Sequence, residues 1–280
     1  MFAVARKQRP IQFLKRRIIR IVPLYWFASF LLYVQLLMGF PGALPDAEQL
    51  LKSLFFLPQY NWQNTREIWP LVVPGWTLQF EMYFYAIFAV GLATRRLVPV
   101  SLAIGLLAVG LGWVLPDWMA GNAILVSYTS PIILEFFAGM LIAIIHQKHS
   151  MKSYWLALPI GMTALIGFGN LDASRLLVWG LPTLLIFVGT LAIEDAGKLP
   201  RLALLKLLGD ASYSIYLSHA FVLQIGLFAW WRVPVHGWLQ FLIFTPTAMI
   251  GCAFAGVLVY RYIERPMLLR LQRKAQAATA

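Results

Sequence analysis

Charged residues and cysteine are scarce in this sequence. Of its 280 residues only 12% are charged, 60% are hydrophobic, and the mean hydropathy is +0.73. Water-soluble domains carry about 25% charged residues, so the composition excludes an ordinary soluble fold. Cys252 is the single cysteine, which excludes an intramolecular disulfide.

Long apolar stretches are abundant instead. A helix needs about 20 apolar residues to cross a bilayer, and eight stretches approach that length, with Tyr154–Phe168 the shortest. They predict a single all-α, polytopic membrane domain over residues 1–280 with about eight spans. The predicted spans are Ile21–Met38, Gly75–Ala93, Leu97–Leu115, Ile124–Ile145, Tyr154–Phe168, Leu176–Ile193, Tyr213–Trp231 and Trp238–Tyr260.

The lysines and arginines alternate between the two sides that these spans define. With the N-terminus in the cytoplasm, 19 of the 23 basic residues fall in cytoplasmic segments. The positive-inside rule then places both termini in the cytoplasm, as an even number of spans requires. The net charge of +12 does not indicate a nucleic-acid partner, because the basic residues form no continuous patch.

Glu81 is the most unusual residue of the predicted spans. A charged side chain in the hydrocarbon core costs about 2.5 to 3.5 kcal/mol, so such residues usually face a protein interior or a wet cavity. Thr77, Glu81 and Tyr85 follow at intervals of four and form one polar stripe on their helix. We expect this stripe to face a cavity, with Glu81 as a candidate catalytic residue. A structural role, in which Glu81 ties helices together, is the alternative.

His219 is the second candidate catalytic residue. It shares a helical face with Ser212 and Tyr216, and an imidazole can accept a proton from a hydroxyl near neutral pH. A histidine that only packs between helices is the alternative. The other three histidines, His146, His149 and His236, lie at no metal-ligand spacing, so we predict no metal site.

Arg17 and Arg20 lie three residues apart, hence on one helical face where the first span begins. Guanidinium groups bind phosphate oxygens through paired donors, so this pair suits a diphosphate at the cytoplasmic side. Simple anchoring by the positive-inside rule is the alternative.

Two more carboxylates, Glu135 and Glu264, lie in or beside predicted spans. For Glu135 the sequence favours a buried hydrogen-bonded contact, with Gly139 one turn further on as a place of close helix approach. For Glu264 it favours an ion pair with Arg265 at a helix end, because Pro266 follows and is read as a stop signal.

Four segments, in this order along the chain, resemble one known family. They are Phe13–Tyr25 (FLKRRIIRIVPLY), Gly75–Tyr85 (GWTLQFEMYFY), Leu208–His219 (LGDASYSIYLSH) and Tyr262–Pro266 (YIERP). The set is similar to the membrane acyltransferase-3 family, whose members move acyl groups from a cytoplasmic donor, typically acetyl-CoA, onto hydroxyls of cell-surface glycans. The resemblance implies an acyl-CoA co-substrate near Arg17 and Arg20, no tightly bound cofactor, and a multi-pass location in a bacterial inner membrane.

The resemblance also implies about ten spans, led by a helix that carries a basic residue and the catalytic histidine. In this sequence the Arg-x-x-Arg segment lies almost at Met1. We therefore expect the two leading spans, and the catalytic histidine with them, to lie outside this sequence. Expressed from Met1, the chain should insert in the membrane without transferring acyl groups.

Two other function classes fit the same residues. In a proton-coupled transporter, Glu81 and Glu135 would be acids along the proton path. In a non-catalytic assembly subunit, the catalytic histidine would not be needed. The sequence favours an O-acyltransferase that transfers an acyl group, acetyl by the resemblance, to a hydroxyl of a cell-surface or exported glycan.

Overall fold

The computed structural model describes residues 9–39, 42–114, 121–169, 171, 173–200, 202–230 and 237–277. Within these ranges the chain forms twelve α-helices and no β-strand, which confirms the all-α prediction. Two short segments, Leu176–Gly180 and Tyr260–Glu264, are π-helical. The helices are α1 (Pro10–Leu37), α2 (Ala47–Leu54), α3 (Trp76–Ala93), α4 (Leu97–Val114), α5 (Ala123–Tyr128), α6 (Ile133–Lys148), α7 (Ala157–Phe168), α8 (Leu181–Asp195), α9 (Ala203–Asp210), α10 (Ser212–Trp230), α11 (Trp238–Val259) and α12 (Arg265–Ala277).

Five helical stretches of the described chain are long and apolar enough to cross a membrane. Only 11% to 28% of the residues in their most apolar windows are buried, so most of this apolar surface is left for lipid. The protein is therefore a multi-pass membrane protein. The five stretches are Pro10–Leu37, Leu97–Val114, Ala123–Lys148, Leu176–Asp195 and Trp238–Arg273.

The other three predicted spans are also helical, at Trp76–Ala93, Ala157–Phe168 and Ser212–Trp230. The second of these has 12 residues, hence a length of about 18 Å, which is short of the roughly 30 Å hydrocarbon core. The count of eight spans and the cytoplasmic placement of both termini remain predictions. Two predicted span ends, Leu115 and Trp231, lie outside the described residues.

The helices group into two compact units. Of the described residues, unit 1 contains 9–14 and 83–200, and unit 2 contains 15–82 and those after 201. Helices α4 to α8 belong to unit 1, and α2 and α9 to α12 belong to unit 2, while α1 and α3 contribute residues to both.

Unit 1 combines an aromatic core with close helix approach. In the core, the rings of Phe13 and Phe88 stack with their centroids 4.9 Å apart, and both pack among apolar residues of α3, α4 and α6. Gly189 of α8 faces α7, where a Cβ at position 189 would lie 2.2 Å from the amide nitrogen of Leu158. Because no side chain fits there, glycine allows α7 and α8 to pack backbone against backbone.

Unit 2 is held by polar contacts between helices. Tyr25 of α1 is fully buried and donates its hydroxyl proton to the Ser53 carbonyl at 3.2 Å, which ties α2 to α1. Helix α2 itself begins at a capping box, in which Asp46 accepts from the Gln49 amide at 2.7 Å. The hydroxyl of Tyr213 donates to the Ile21 carbonyl at 2.7 Å, and this bond joins α10 to α1.

Candidate active site

Polar side chains of unit 2 gather on and around α10. Three of them lie on α10 itself, two come from the first half of α3, and one comes from the π-helical segment after α11. We refer to this set as the polar cluster, and its members are Thr77, Glu81, Tyr213, Tyr216, His219 and Glu264.

Tyr216 connects α10 to the start of α3. Its hydroxyl donates to the Pro74 carbonyl, and a phenol has only one proton to donate. The Thr77 hydroxyl, 2.5 Å away, must therefore donate to the Tyr216 oxygen. Glu81, one turn further along α3, lies near enough for its charge to act on the hydroxyls of Tyr213 and Tyr216.

Two of the three residues of the predicted stripe on α3 lie together, and that the stripe faces a cavity stays a prediction. Thr77 and Glu81 share the environment of the tyrosines of α10. Tyr85 does not belong to it, because its ring packs edge-on against Phe13 at 5.7 Å, next to the apolar core of unit 1. The second half of α3 is thus surrounded by apolar side chains, and the polar stripe ends at Glu81.

His219 follows Tyr216 by one turn of α10. Its Nδ1 lies 2.5 Å from the Tyr216 carbonyl oxygen. A carbonyl can only accept, so Nδ1 carries the proton and Nε2 of the neutral ring keeps a lone pair. An imidazole fixed in this tautomer can accept a proton through Nε2. Ser212, predicted to share this face, is exposed at the first position of the helix, so the polar face reduces to Tyr216 and His219.

Glu264 is a member of the cluster to which the sequence assigned a different role. It is only 2% exposed, and its carboxylate accepts from the Ser214 hydroxyl at 2.5 Å and from the Ser214 amide. The predicted helix-end ion pair with Arg265 is wrong, because the helix continues to Ala277. Pro266 lies inside this continuous helical stretch, directly after the π-helical turn, so it does not mark an end.

Arg17 and Arg20 both lie on α1, three residues apart as predicted. Arg17 is half-buried and Arg20 is exposed. The positive charge of Arg20 acts on the Glu264 carboxylate. The predicted donor-binding pair therefore adjoins the polar cluster within unit 2.

Glu135 lies in unit 1 and forms an ion pair with Arg175. The predicted hydrogen-bonded contact is confirmed, although the side chain is half-buried. Gly180 makes room for it, since a Cβ there would lie 3.3 Å from Glu135 Oε1. The prediction for Gly139 is wrong: a Cβ at that position would have no atom within 4 Å, so Gly139 is not a point of close helix approach.

His146 makes a second contact with a carboxylate in unit 1, one that the sequence did not suggest. Its Nε2 lies 2.9 Å from Asp195 Oδ1, while Asp195 Oδ2 accepts from the Met151 amide at 2.7 Å. Asp195 therefore links the end of α8 to α6 and to the loop that follows α6. Among the described residues, no three His, Cys, Asp or Glu side chains are grouped so that they could hold a metal ion. His236 lies outside these residues.

The lipid-facing apolar surface of the helices defines the class of the protein, which is a multi-pass membrane protein. Its polar site lies inside unit 2, around α10. The chain belongs to the acyltransferase-3 family, whose acyltransferase domain matches residues 2–257. It is 37% identical over 277 residues to the exopolysaccharide production protein ExoZ of Rhizobium meliloti (strain 1021), an alignment that covers 95% of this chain and 83% of that protein. No solved structure matches the chain. The family inferred from the four segments is thereby confirmed.

Proposed function

We propose that the protein is an O-acyltransferase that moves an acyl group, acetyl in the simplest case, from acyl-CoA to a hydroxyl of an exported polysaccharide. The family supports acyl transfer, and the name of ExoZ supports a polysaccharide as the acceptor class. The observation that carries the proposal is the polar cluster, which combines carboxylates, phenols and an imidazole of fixed tautomer around α10.

The acceptor hydroxyl needs a base, because a sugar hydroxyl is a poor nucleophile. General-base assistance is worth about 10²- to 10⁴-fold in rate. The resemblance assigns this role to a histidine in the leading spans, whereas within this chain the candidate is His219, through Nε2. In either case Glu81 supplies a negative charge that stabilises the imidazolium, as the acid of a hydrolytic triad does.

The donor would enter from the side of Arg17 and Arg20. Two guanidinium groups on one face of α1 suit the diphosphate of acyl-CoA. The charge of Arg20 also acts on the Glu264 carboxylate, so a phosphate bound by Arg20 would lie beside the polar cluster. Holding donor and acceptor in line can lower the barrier by roughly 7 to 11 kcal/mol.

The contacts of Glu135 argue against the transporter alternative. A proton relay needs acids that can release and regain a proton along one path. Glu135 is paired with Arg175 in unit 1, which favours a structural carboxylate. Only Glu81 of the two candidate relay acids then remains, and one acid is not a relay.

The test follows acetyl-CoA labelled in its acetyl group. Membrane vesicles that contain the protein are incubated with the labelled donor and exopolysaccharide, and alkali-labile label in the polysaccharide is counted. We expect the protein to acylate the polysaccharide; label that stays in the donor would contradict the proposed function.

A substitution at His219 then locates the base. If His219 is the base, His219→Ala lowers the transfer rate by about 10²- to 10⁴-fold. If the base is another group, the protein keeps most of its activity after the substitution. His149→Ala is the matched control, since His149 is exposed at the end of α6.

A further inference from the structure

A cavity of about 500 Å³ lies in unit 2, between the end of α9 and the helical turns that follow α11. Its size is within the range of about 300 to 1,000 Å³ that is usual for small-molecule sites. None of the residues discussed for acyl transfer lines it. The lining residues are Leu207, Asp210, Tyr260, Arg261, Tyr262 and Arg265.

The wall of this cavity carries uncompensated positive charge. It contains two guanidinium groups and a single carboxylate, that of Asp210. In the described part of the chain, neither Arg261 nor Arg265 has a carboxylate oxygen within 4 Å. The neighbouring Glu264 does not pair with them, because it is buried and its carboxylate accepts from the Ser214 hydroxyl. Both guanidinium groups therefore keep their donors for an anion.

The backbone beside this cavity is π-helical. Tyr260, Arg261 and Tyr262 all line the wall, and they lie in the π-helical turn Tyr260–Glu264. Such turns are rare and occur frequently at functional sites.

The position along the helix places the cavity at a membrane boundary. Helix α11 has 22 residues, hence a length of about 33 Å, which already matches the hydrocarbon thickness. The π-helical turn follows directly, so Arg261 and Arg265 lie at the level of lipid headgroups and of the adjoining solvent.

We propose that this cavity binds a phosphate-bearing anion through Arg261 and Arg265, with the hydroxyls of Tyr260 and Tyr262 as further donors. Guanidinium groups bind phosphate oxygens bidentately, and two of them on one wall suit a group with more than one charged oxygen. The phosphate can belong to the headgroup of an anionic phospholipid or to a soluble ester such as CoA. The second source rests on the proposed function, and the first does not.

The experiment has two arms, both with protein in lipid nanodiscs. In the first arm CoA is titrated calorimetrically in discs of phosphatidylcholine alone. In the second arm the thermal unfolding midpoint is compared between those discs and discs that also contain phosphatidylglycerol. The double variant Arg261→Gln/Arg265→Gln is measured against Arg270→Gln/Arg273→Gln, which removes the same charge from α12 outside the cavity.

We expect the cavity variant to bind CoA roughly tenfold or more weaker, or to lose the stabilisation by phosphatidylglycerol, while the control variant keeps both. A loss in the CoA arm alone identifies a soluble phosphate ester, and a loss in the lipid arm alone identifies a headgroup. Equal behaviour of the two double variants in both arms would overturn the proposal. If the glutamine pair does not insert, Arg261→Lys/Arg265→Lys replaces it, since lysine keeps the charge and loses the bidentate geometry.

Because the readout is binding and not transfer, failure of the proposed function leaves this test intact. A protein that transfers no acyl group can still lose phosphatidylglycerol or CoA binding through Arg261 and Arg265.

Discussion

At the scale of single residues, Glu264 is the only buried charged side chain among the described residues. A buried carboxylate without partners would cost several kcal/mol. Here Ser214 supplies two hydrogen bonds and Arg20 the opposite charge. These contacts fix the π-helical turn after α11 to α10, and thereby position the polar cluster.

Replacing Glu264 should therefore destabilise the protein. We expect Glu264→Ala to lower the free energy of unfolding by about 1.5 to 3 kcal/mol, the usual value of hydrogen bonds to a charged group. Denaturant titration in detergent micelles measures this change. Glu48→Ala is the control, because Glu48 pairs with Lys52 with 73% of its side chain exposed and should matter by less than about 1 kcal/mol. Equal effects of the two substitutions would refute the structural role of Glu264.

Arg17 and Arg20 give the second prediction at this scale. Arg17→Ala and Arg20→Ala should each weaken acetyl-CoA binding by roughly 1.5 to 3 kcal/mol, because each removes a charge-assisted contact to phosphate. Binding to purified protein measures this effect. Arg16→Ala is the control, since Arg16 is exposed and points about 100° away from Arg17 on the same helix. Unchanged affinity in both variants would reassign the pair to membrane anchoring.

At the scale of helices, α7 and α8 depend on glycine for their contact. Gly189→Ala would place a methyl group 2.2 Å from the Leu158 amide nitrogen, and backbone cannot move aside as a side chain can. We expect a loss of about 1 to 3 kcal/mol of stability, as for other overpacked sites. Gly139→Ala, where the space is open, should instead be neutral or stabilising by up to about 1 kcal/mol. Thermal unfolding of both variants measures these changes in stability. A Gly189→Ala variant as stable as the unchanged protein would show that α7 and α8 do not pack this closely.

The sequence predicts the structure best at the scale of single helices. Apolar runs predict α3, α4 and α11 to within a few residues, because an apolar run of spanning length can satisfy its backbone in lipid only as a helix. The π-helical segments were not predictable, since they depend on contacts with distant residues such as Ser214. The same holds for the end of the last helix, where Pro266 suggested a stop and the helix continues.

At the scale of the whole molecule, the partition of basic residues predicts the topology. With 19 of 23 lysines and arginines on one side, residues 1–20 and 261–280 should both face the cytoplasm. Reporter fusions at each end, one active only inside and one only outside the membrane, measure this orientation. An externally active reporter at the C-terminus would break the even-span topology and remove the donor site from the cytoplasmic side.

The site itself was predictable only in part. Glu81 and His219 were identified because a carboxylate in a span and a histidine one turn from a tyrosine are visible as spacings along the chain. Their partners were not, because Tyr216 meets Thr77 across 139 positions of sequence and Ser214 meets Glu264 across 50. Spacing shows which residues share a helix face, whereas which faces meet depends on packing.

The central claim is that acyl transfer takes place at the polar cluster of unit 2, and the two carboxylates of the predicted spans test it most directly. Glu81→Gln and Glu135→Gln make the same change in units 2 and 1, and the rate of labelled acetyl transfer to exopolysaccharide is measured for each in membrane vesicles that contain the protein. We predict that Glu81→Gln lowers the rate by roughly a hundredfold or more, because the imidazolium loses its supporting charge, while Glu135→Gln transfers close to the unchanged rate. An unchanged rate for Glu81→Gln, or equal losses for both variants, would contradict the account.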